Sequence, residues 1–375
     1  MSAMVENELI PGLPEEVARE CLIRLPIEAL RAAQDVCRHW RRVVASPPFH
    51  RLRRAAGLAR PVIVFVQSDP ASTPASKHSF PSPLFYRLVV FEPATDAWTS
   101  PPMIPGRPHG LPLFCQLAAV GRELVVIGGW DPRTWAATDE VHVYGLVSGV
   151  WRRGARMPGP RRSFFACAAA EAEGRWLVFV AGGHDESKNA LRSALVYDVA
   201  ADAWTQLPDM ARPRDECKGF FSGGAFRVLG GYPTEAQGQF SQTVEAFDVA
   251  AWRWAAEGDS ALEEAANPRT RTCVVSEKGK IYMCREGREV EMMEEGGRSG
   301  WGRVAELPRE IRAALHMVAW ERGLMVLGSG ARGGAQMAYV LESGCEDEEG
   351  TRTWHEVAVP REYSGHVQAL CSFEV

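Results

Sequence analysis

WLVFVAGGHDESKNALRSALVYDVAADAWTQLP, residues 176–208, carries the pattern that decides the fold. An apolar run ends in a glycine pair, Gly182-Gly183, and a polar loop follows. A second apolar run ends at Tyr197-Asp198, and a lone Trp204 stands after a turn and before Leu207-Pro208. The pattern recurs upstream as 124–129, 141–144 and Trp151, and downstream as 226–231, 243–248 and Trp252/Trp254. Degenerate copies read 280–284, 289–292 and Trp301, then 324–328, 337–341 and Trp354; the first copy is 62–66, 86–92 and Trp98. Trp98, Trp151, Trp204, Trp254, Trp301 and Trp354 are separated by 53, 53, 50, 47 and 53 residues. A period near fifty with several short strands per unit is the signature of a propeller, and these anchors count six blades.

Each unit supplies four strands; in the third they are expected at 165–169, 177–180, 194–198 and around Trp204. The glycine pair permits a tight exit and close backbone approach, where a larger side chain would crowd the neighbouring blade. The tryptophan offers a large apolar area to seal one blade against the next. The first unit has no inner strand before Val62, whereas 366–375, HVQALCSFEV, is a spare one. It is expected to sit inside blade one and close the ring, removing exposed sheet edges. The Pro/Ser-rich stretch 67–83 and the acidic run 346–349 read as solvated loops.

At 375 residues the chain is long enough for such a ring and a small addition. Its 46% hydrophobic and 24% charged content is that of an ordinary soluble protein, and a net charge of -5 gives no reason to expect a nucleic-acid partner. No run approaches the roughly 18 apolar residues of a membrane span, and the acidic N-terminus lacks the apolar core of a signal peptide. The nine cysteines include no CxxC pair and read as reduced, buried thiols inside a cell, in cytoplasm and nucleus.

Residues 9 to about 50 read as three short helices. Leu13-Pro14 and Glu15-Glu16 suit the start of the first, and Pro26 ends it. Ile27, Leu30 and Ala33 suggest a second; Asp35 can cap a third, which Pro47-Pro48 stops. About 40 residues bury too little surface to be comfortable alone, so this apolar head is expected to need a partner. Arg38, Arg41, Arg42, Arg51, Arg53 and Arg54 lie on or after an amphipathic helix and read as a solvated face, with a nuclear signal or phosphate patch as the other reading.

The head resembles the F-box, the segment that docks a substrate receptor onto the Skp-family adaptor of a cullin ubiquitin ligase. The matching residues are Leu13-Pro14, Leu22, Arg24-Leu25-Pro26, Leu30, Val36-Cys37, Trp40-Arg41 and Pro48-Phe49. The resemblance implies adaptor-facing and core contacts from Leu13, Pro14, Leu25, Pro26, Leu30, Val36, Cys37 and Trp40, without separating the two roles. The repeats in turn resemble kelch motifs, well matched around Gly128-Gly129, Gly182-Gly183 and Gly230-Gly231. Blade five lacks the glycine pair, and blade six has Gly328-Ser329-Gly330. The expected fold is a small all-α F-box head (1–55) followed by an all-β six-bladed kelch propeller (56–375) closed by the C-terminal strand.

No catalytic constellation stands out. The sequence has no HxH, HExxH, GxSxG or P-loop, Gly333-Gly334 lacks a strand–helix context, and no metal or cofactor is expected. His184-Asp185-Glu186 reads as a surface loop before it reads as a ligand set. The propeller is expected to recognise a protein. In a four-stranded blade the second-to-third connections and the crossings to the next blade share one face of the disc. The first set offers Trp130, Arg133, Trp135, His184, Asp185, Lys188, Asn189, Tyr232, Gln239 and Phe240; the second offers Arg107, His109, Arg161, Arg162 and Arg214. Exposed Trp, Tyr and Arg dominate interface energetics.

An F-box followed by a kelch ring implies a non-catalytic substrate receptor, partnered with a Skp-family adaptor and through it cullin. The segments 110–117, 131–135, 160–168, 181–200, 207–217, 235–249 and 365–369 are similar to the plant kelch F-box group that directs phenylalanine ammonia-lyase to degradation, restraining phenylpropanoid and lignin synthesis. Members of that group are also implicated in turning over response regulators of cytokinin signalling. A kelch scaffold without an adaptor, and a secreted copper oxidase, are the non-ligase alternatives.

Overall fold

The computed structural model describes residues 8–70, 85–255, 262–263, 273–284, 288–295, 300–320, 322–331, 334–342 and 352–374. Four helices come first: α1 (Glu15–Ile23), α2 (Ile27–Val36), α3 (Arg38–Ala45) and α4 (Pro47–Ala55). Two expectations for the head change. Asp35 lies inside α2 and pairs with Arg41; the cap of α3 is Cys37, whose sulfur accepts the Trp40 amide at 3.4 Å. Pro47-Pro48 does end α3, but it also starts a fourth helix, because proline fits a first turn that needs no amide donor and Ser46 caps it. The buried core of the head is Leu9, Ala18, Leu22, Ile23, Leu30, Ala33, Val44 and Phe49, completed by Val147 from the propeller. The head therefore finishes its core with a residue of the second domain, as its small size demands.

Six four-stranded antiparallel sheets follow. Blade one holds β1 (Pro61–Ser68), β2 (Tyr86–Glu92) and β3 (Ala97–Thr99). Blade two is β4 (Gln116–Val120), β5 (Glu123–Ile127), β6 (Val141–Gly145) and β7 (Trp151–Gly154). Blade three is β8 (Ala166–Ala172), β9 (Arg175–Ala181), β10 (Ala194–Asp198) and β11 (Ala203–Leu207). Blade four is β12 (Lys218–Ser222), β13 (Ala225–Leu229), β14 (Val244–Asp248) and β15 (Arg253–Trp254). Blade five is β16 (Cys273–Glu277), β17 (Lys280–Cys284), β18 (Glu289–Glu294) and β19 (Gly302–Glu306). Blade six is β20 (Ala313–Trp320), β21 (Gly323–Ser329), β22 (Met337–Glu342) and β23 (His355–Val357). The last strand, β24 (Val367–Glu374), pairs with β1 as the innermost strand of blade one, so the ring is closed by the C-terminus as expected.

The repeat motif has a direct physical reading. Tyr197 stands opposite Trp204 across the outer strand pair, as Phe91 does to Trp98, Tyr144 to Trp151 and Phe247 to Trp254. The stacked Tyr197–Trp204 centroids are 4.9 Å apart. Asp198 Oδ1 accepts the amides of Ala200 and Ala201 and so shapes the turn between the two strands; Asp248 does the same for Ala250 and Ala251. Four of the six anchor tryptophans also stitch their blade to the one before: Nε1 of Trp151, Trp204, Trp254 and Trp354 donates to the carbonyls of Pro102, Ala155, Pro208 and Glu306 at 2.7–2.8 Å. At the seam the stitch is replaced. Trp98 Nε1 has no hydrogen-bond partner among the described residues, and its ring stacks on Tyr363. Gln67 Nε2 donates to the Tyr363 and Gly365 carbonyls, and the His366 amide donates to Ser68 Oγ.

Gln67 and Ser68 are thus buried members of β1, which corrects the expectation that the loop begins at Gln67; residues 71–83, the acidic run 346–349 and Gly333 lie outside the described residues. The glycine pairs divide their labour. A side chain on Gly182 would meet the Arg214 carbonyl of the next blade at 2.5 Å, and one on Gly183 the Ser163 carbonyl of its own blade at 2.3 Å. Both have positive φ, so glycine is required twice over. The seven described cysteines with assigned exposure are thiols; Cys115 and Cys217 are buried, but Cys21 and Cys37 are exposed on the head, against the expectation of uniform burial. Burial pushes the Cys115 thiol up to about 12, so it stays protonated and inert.

Candidate functional site

The head is bolted to the face of the disc formed by the hairpin turns. From α2, Arg31 donates to the Leu146 carbonyl at 3.1 and 2.8 Å, and Gln34 Nε2 to that of Val147 at 3.1 Å. In return Arg122 reaches the Val44 and Ala45 carbonyls at the end of α3, at 3.3 and 3.2 Å. These contacts lie in the two hairpin turns of blade two. The connections expected to meet a target leave the opposite face.

The structure separates the two roles that the head residues could play. Leu30 is buried at 1% exposure and belongs to the head core; Leu25 is half-buried against it, and Trp40, also half-buried, donates Nε1 to the Leu9 carbonyl at 2.5 Å. Leu13, Pro14, Pro26, Val36 and Cys37 are exposed. Leu13, Val17, Val36 and Leu52 make up half of the eight exposed large hydrophobics among the described residues, though the head is a small part of the chain. A concentration of unburied apolar side chains on so small a unit marks a docking surface.

On the opposite face, the necks of the loops are locked. Arg162, 1% exposed, donates to the Gly182 and Ser193 carbonyls and to Ser193 Oγ, clamping both ends of the connection between β9 and β10. Arg214, also 1% exposed, repeats this on Gly230 and Thr243 and adds an ion pair with Glu245 at 3.0 Å. Arg107 is paired with Asp131 and Glu140, and burial lowers its pKa. These three arginines, expected to meet a target, are spent inside the fold. Buried guanidinium groups demand such partners, and the ends of the loops supply carbonyls in the right geometry.

Above the necks a polar relay crosses three blades. Trp130 Nε1 donates to Ser163 Oγ at 2.8 Å, Ser163 Oγ lies 2.9 Å from His184 Nε2, and His184 Nδ1 lies 2.9 Å from both Asp215 oxygens. Those last three are the atoms of a hydrolytic triad. Ser163 is fully buried, however, and its hydroxyl is already held by the indole and the imidazole, so no substrate carbonyl can reach it. The relay is a brace. His184 and Tyr232, the latter bonded to Glu216 at 2.7 Å, are buried and belong to it. Asp185 accepts the amides of Ser187 and Asn189 to shape its own loop, and Glu186 pairs with Arg161 at 3.4 Å. His184, Asp185 and Glu186 therefore serve three separate partners, and no group of three potential metal ligands converges among the described residues.

What remains for a partner is the outer tier. His109, Arg133, Trp135, Arg161, Lys188, Asn189 and Gln239 are exposed, Trp130 is half-buried, and Phe240 is half-buried against Tyr232. Sequence reasoning missed Phe114 and Phe164. Each is half-buried with φ near +57°, just ahead of the inner strand of its blade, and their centroids lie 4.5 Å apart. Trp130 packs edge-on to both, and Trp135 edge-on to Trp130 at 6.4 Å. The repeated Leu113-Phe114 and Ser163-Phe164 placement was visible, but backbone handedness was not. Non-glycine residues in this region cost about 1–3 kcal/mol each and cluster where function uses them.

Comparison with known proteins agrees with both halves of the chain. An F-box domain model matches residues 10–52, and a Kelch motif model matches 113–158 and 177–211. The F-box/kelch-repeat protein At1g15670 of Arabidopsis thaliana is 42% identical over 372 residues, covering 98% of this chain and all of the relative. At1g80440 from the same plant is 40% identical over the same shares, and SKIP20 is 36% identical over 76% of this chain and 75% of its own length. With a helical head bolted to one face of a six-bladed ring, and relatives alike from end to end, the chain belongs to the F-box/kelch-repeat family.

Proposed function

We propose that the chain is the substrate-recognition subunit of an SCF-type (Skp–cullin–F-box) ubiquitin ligase, recruiting a target through the propeller for ubiquitination and proteasomal degradation. One observation carries this reading: the head displays Leu13, Val17 and Val36 to solvent while being fastened to the hairpin-turn face, so adaptor and target can be held at once on opposite sides. The catalytic contribution is proximity, since a fixed body between two partners converts an encounter into an intramolecular transfer. The chain itself is non-catalytic. The finer reading names phenylalanine ammonia-lyase as target, giving negative control of phenylpropanoid synthesis in cytoplasm and nucleus; the segment likeness described above supports it.

The test is a paired co-purification from plant cells of the intact chain and a Leu13→Ala/Pro14→Ala variant, probed for adaptor and lyase. Both substituted side chains are exposed, so the variant leaves the head core intact. Adaptor lost but lyase retained in the variant supports a two-ended receptor with that target. Adaptor bound without lyase keeps the receptor and turns the search to the response regulators of cytokinin signalling. No adaptor on the intact chain overturns the ligase reading and leaves a kelch scaffold.

A further inference from the structure

The loops after the second strands of blades two and three close by similar backbone hydrogen bonds. In blade two the Trp135 amide returns to the Asp131 carbonyl, and in blade three the Lys188 amide returns to that of Asp185. Trp135 and Lys188 have φ of +57° and +62°; the corresponding blade-four loop turns through Gly238 at +80°. Glycine holds this conformation freely, whereas a tryptophan or lysine holds it under strain. The Asp131 and Asp185 carboxylates hold the two loop backbones, but the side chains at the tips gain little inside the fold. Trp135 is 53% exposed with one edge contact to Trp130, and Lys188 has no side-chain partner among the described residues. A tryptophan and a lysine left exposed at the loop tips are available to an external partner.

The surroundings say what kind of partner. Beside Trp135 lie the half-buried rings of Trp130, Phe114 and Phe164, and Phe164 stacks on His184, from which the Lys188 loop departs. Around them Arg133, Lys188 and Arg212 are exposed and make no ion pair among the described residues. The carboxylates nearby are engaged: Asp131 and Asp185 cap their own loops, Glu186 pairs with Arg161, and Glu216 accepts from Tyr232. Two acids are exposed: Glu186, paired with Arg161, and Glu235 on the blade-four loop. An apolar floor rimmed by unspent cations complements an anionic chain with an apolar anchor.

We infer that this patch, formed by Trp135, Lys188, Arg133 and the Phe114/Trp130/Phe164 floor, binds an extended acidic segment of the target that presents a bulky apolar side chain. The inference rests on the receptor reading and names the recognised chemistry. It is tested with the full-length chain and three labelled probes by fluorescence anisotropy: a random Glu/Tyr copolymer, polyglutamate and a Lys/Tyr copolymer. The Glu/Tyr copolymer is expected to bind at least about tenfold more tightly than either control, more so at low salt. Trp135→Gly and the pair Arg133→Glu/Lys188→Glu should each weaken it by about tenfold or more.

Trp135→Gly should at the same time keep or raise the melting temperature, because glycine relieves the strained backbone. A purely structural Trp135 would lower it, and that result overturns the inference. So does equal binding of the Lys/Tyr copolymer, or unchanged binding by the variants. Adaptor retention in the same preparations separates the two readings. A chain that holds adaptor but ignores the Glu/Tyr copolymer overturns this inference alone; one that binds the copolymer without adaptor supports it and overturns the receptor reading.

Discussion

The neck and the tip of one propeller loop follow opposite rules. At the neck of the blade-three connection, Arg162 is buried and every carbonyl it touches belongs to the loop ends, while Gly182 and Gly183 occupy positions closed to any other residue. At its tip, Lys188 takes a conformation that suits glycine and leaves an exposed cation that makes no ion pair among the described residues. Blade two repeats the contrast with Arg107 paired below and Trp135 exposed above. The neck minimises free energy; the tip does not. The same positive φ recurs at Asp96, Asp202 and Trp252 in the turns of the opposite face, so it is the exposed side chains at the tips, rather than the backbone alone, that point to binding.

The largest loss of stability is expected at the frame that carries all the necks. Removing residues 366–375 deletes β24, the inner strand of blade one, and exposes an edge of β1. Loss of a single cooperative urea transition is expected, followed by circular dichroism. Next in size, Arg214→Ala strands Glu245 and three loop-end acceptors and should cost about 3–5 kcal/mol, as for any broken buried pair. Arg133→Ala at the tip should stay within about 0.5 kcal/mol in the same urea titration. Equal costs would erase the distinction between neck and tip.

A pH-dependent effect also belongs to the frame. Burial, then the charge of Arg107, lowers the pKa of His142 from 6.5 to about 4; burial, then Arg122, lowers that of His50 to about 3. Both histidines are neutral in the fold, whereas the unfolded chain takes up their protons at ordinary values. The stabilisation is therefore complete above pH 6.5 and is lost as pH falls toward 4. Melting temperatures near pH 7 and pH 5 should differ less in His142→Gln than in the unaltered chain.

Much of this was legible beforehand. The Tyr197-Asp198 and Trp204 spacing announced a strand pair and its turn, since an aromatic cross-strand pair and an Asp-shaped turn are local events a few residues apart. The closing strand was legible because blade one lacked one and the C-terminus had one to spare. The site was harder to read. Arg133 and Arg162 belong to the same residue type in neighbouring loops, and composition cannot say which guanidinium finds carbonyls 20 and 31 places away in the folded neck. Four helices were read as three because Pro47-Pro48 is equally a stop and a start, and only the Ser46 cap decides that it is both.

The sequence by itself determined the period, the blade count, the closure and the helical head, all of which follow from short-range patterning repeated along the chain. Tertiary structure decided which head residues are core and which are exposed, that head and loops occupy opposite faces, and which loop residues are braces. Those outcomes depend on contacts between segments far apart in the chain, where burial and hydrogen-bond partners are assigned only when the ring closes.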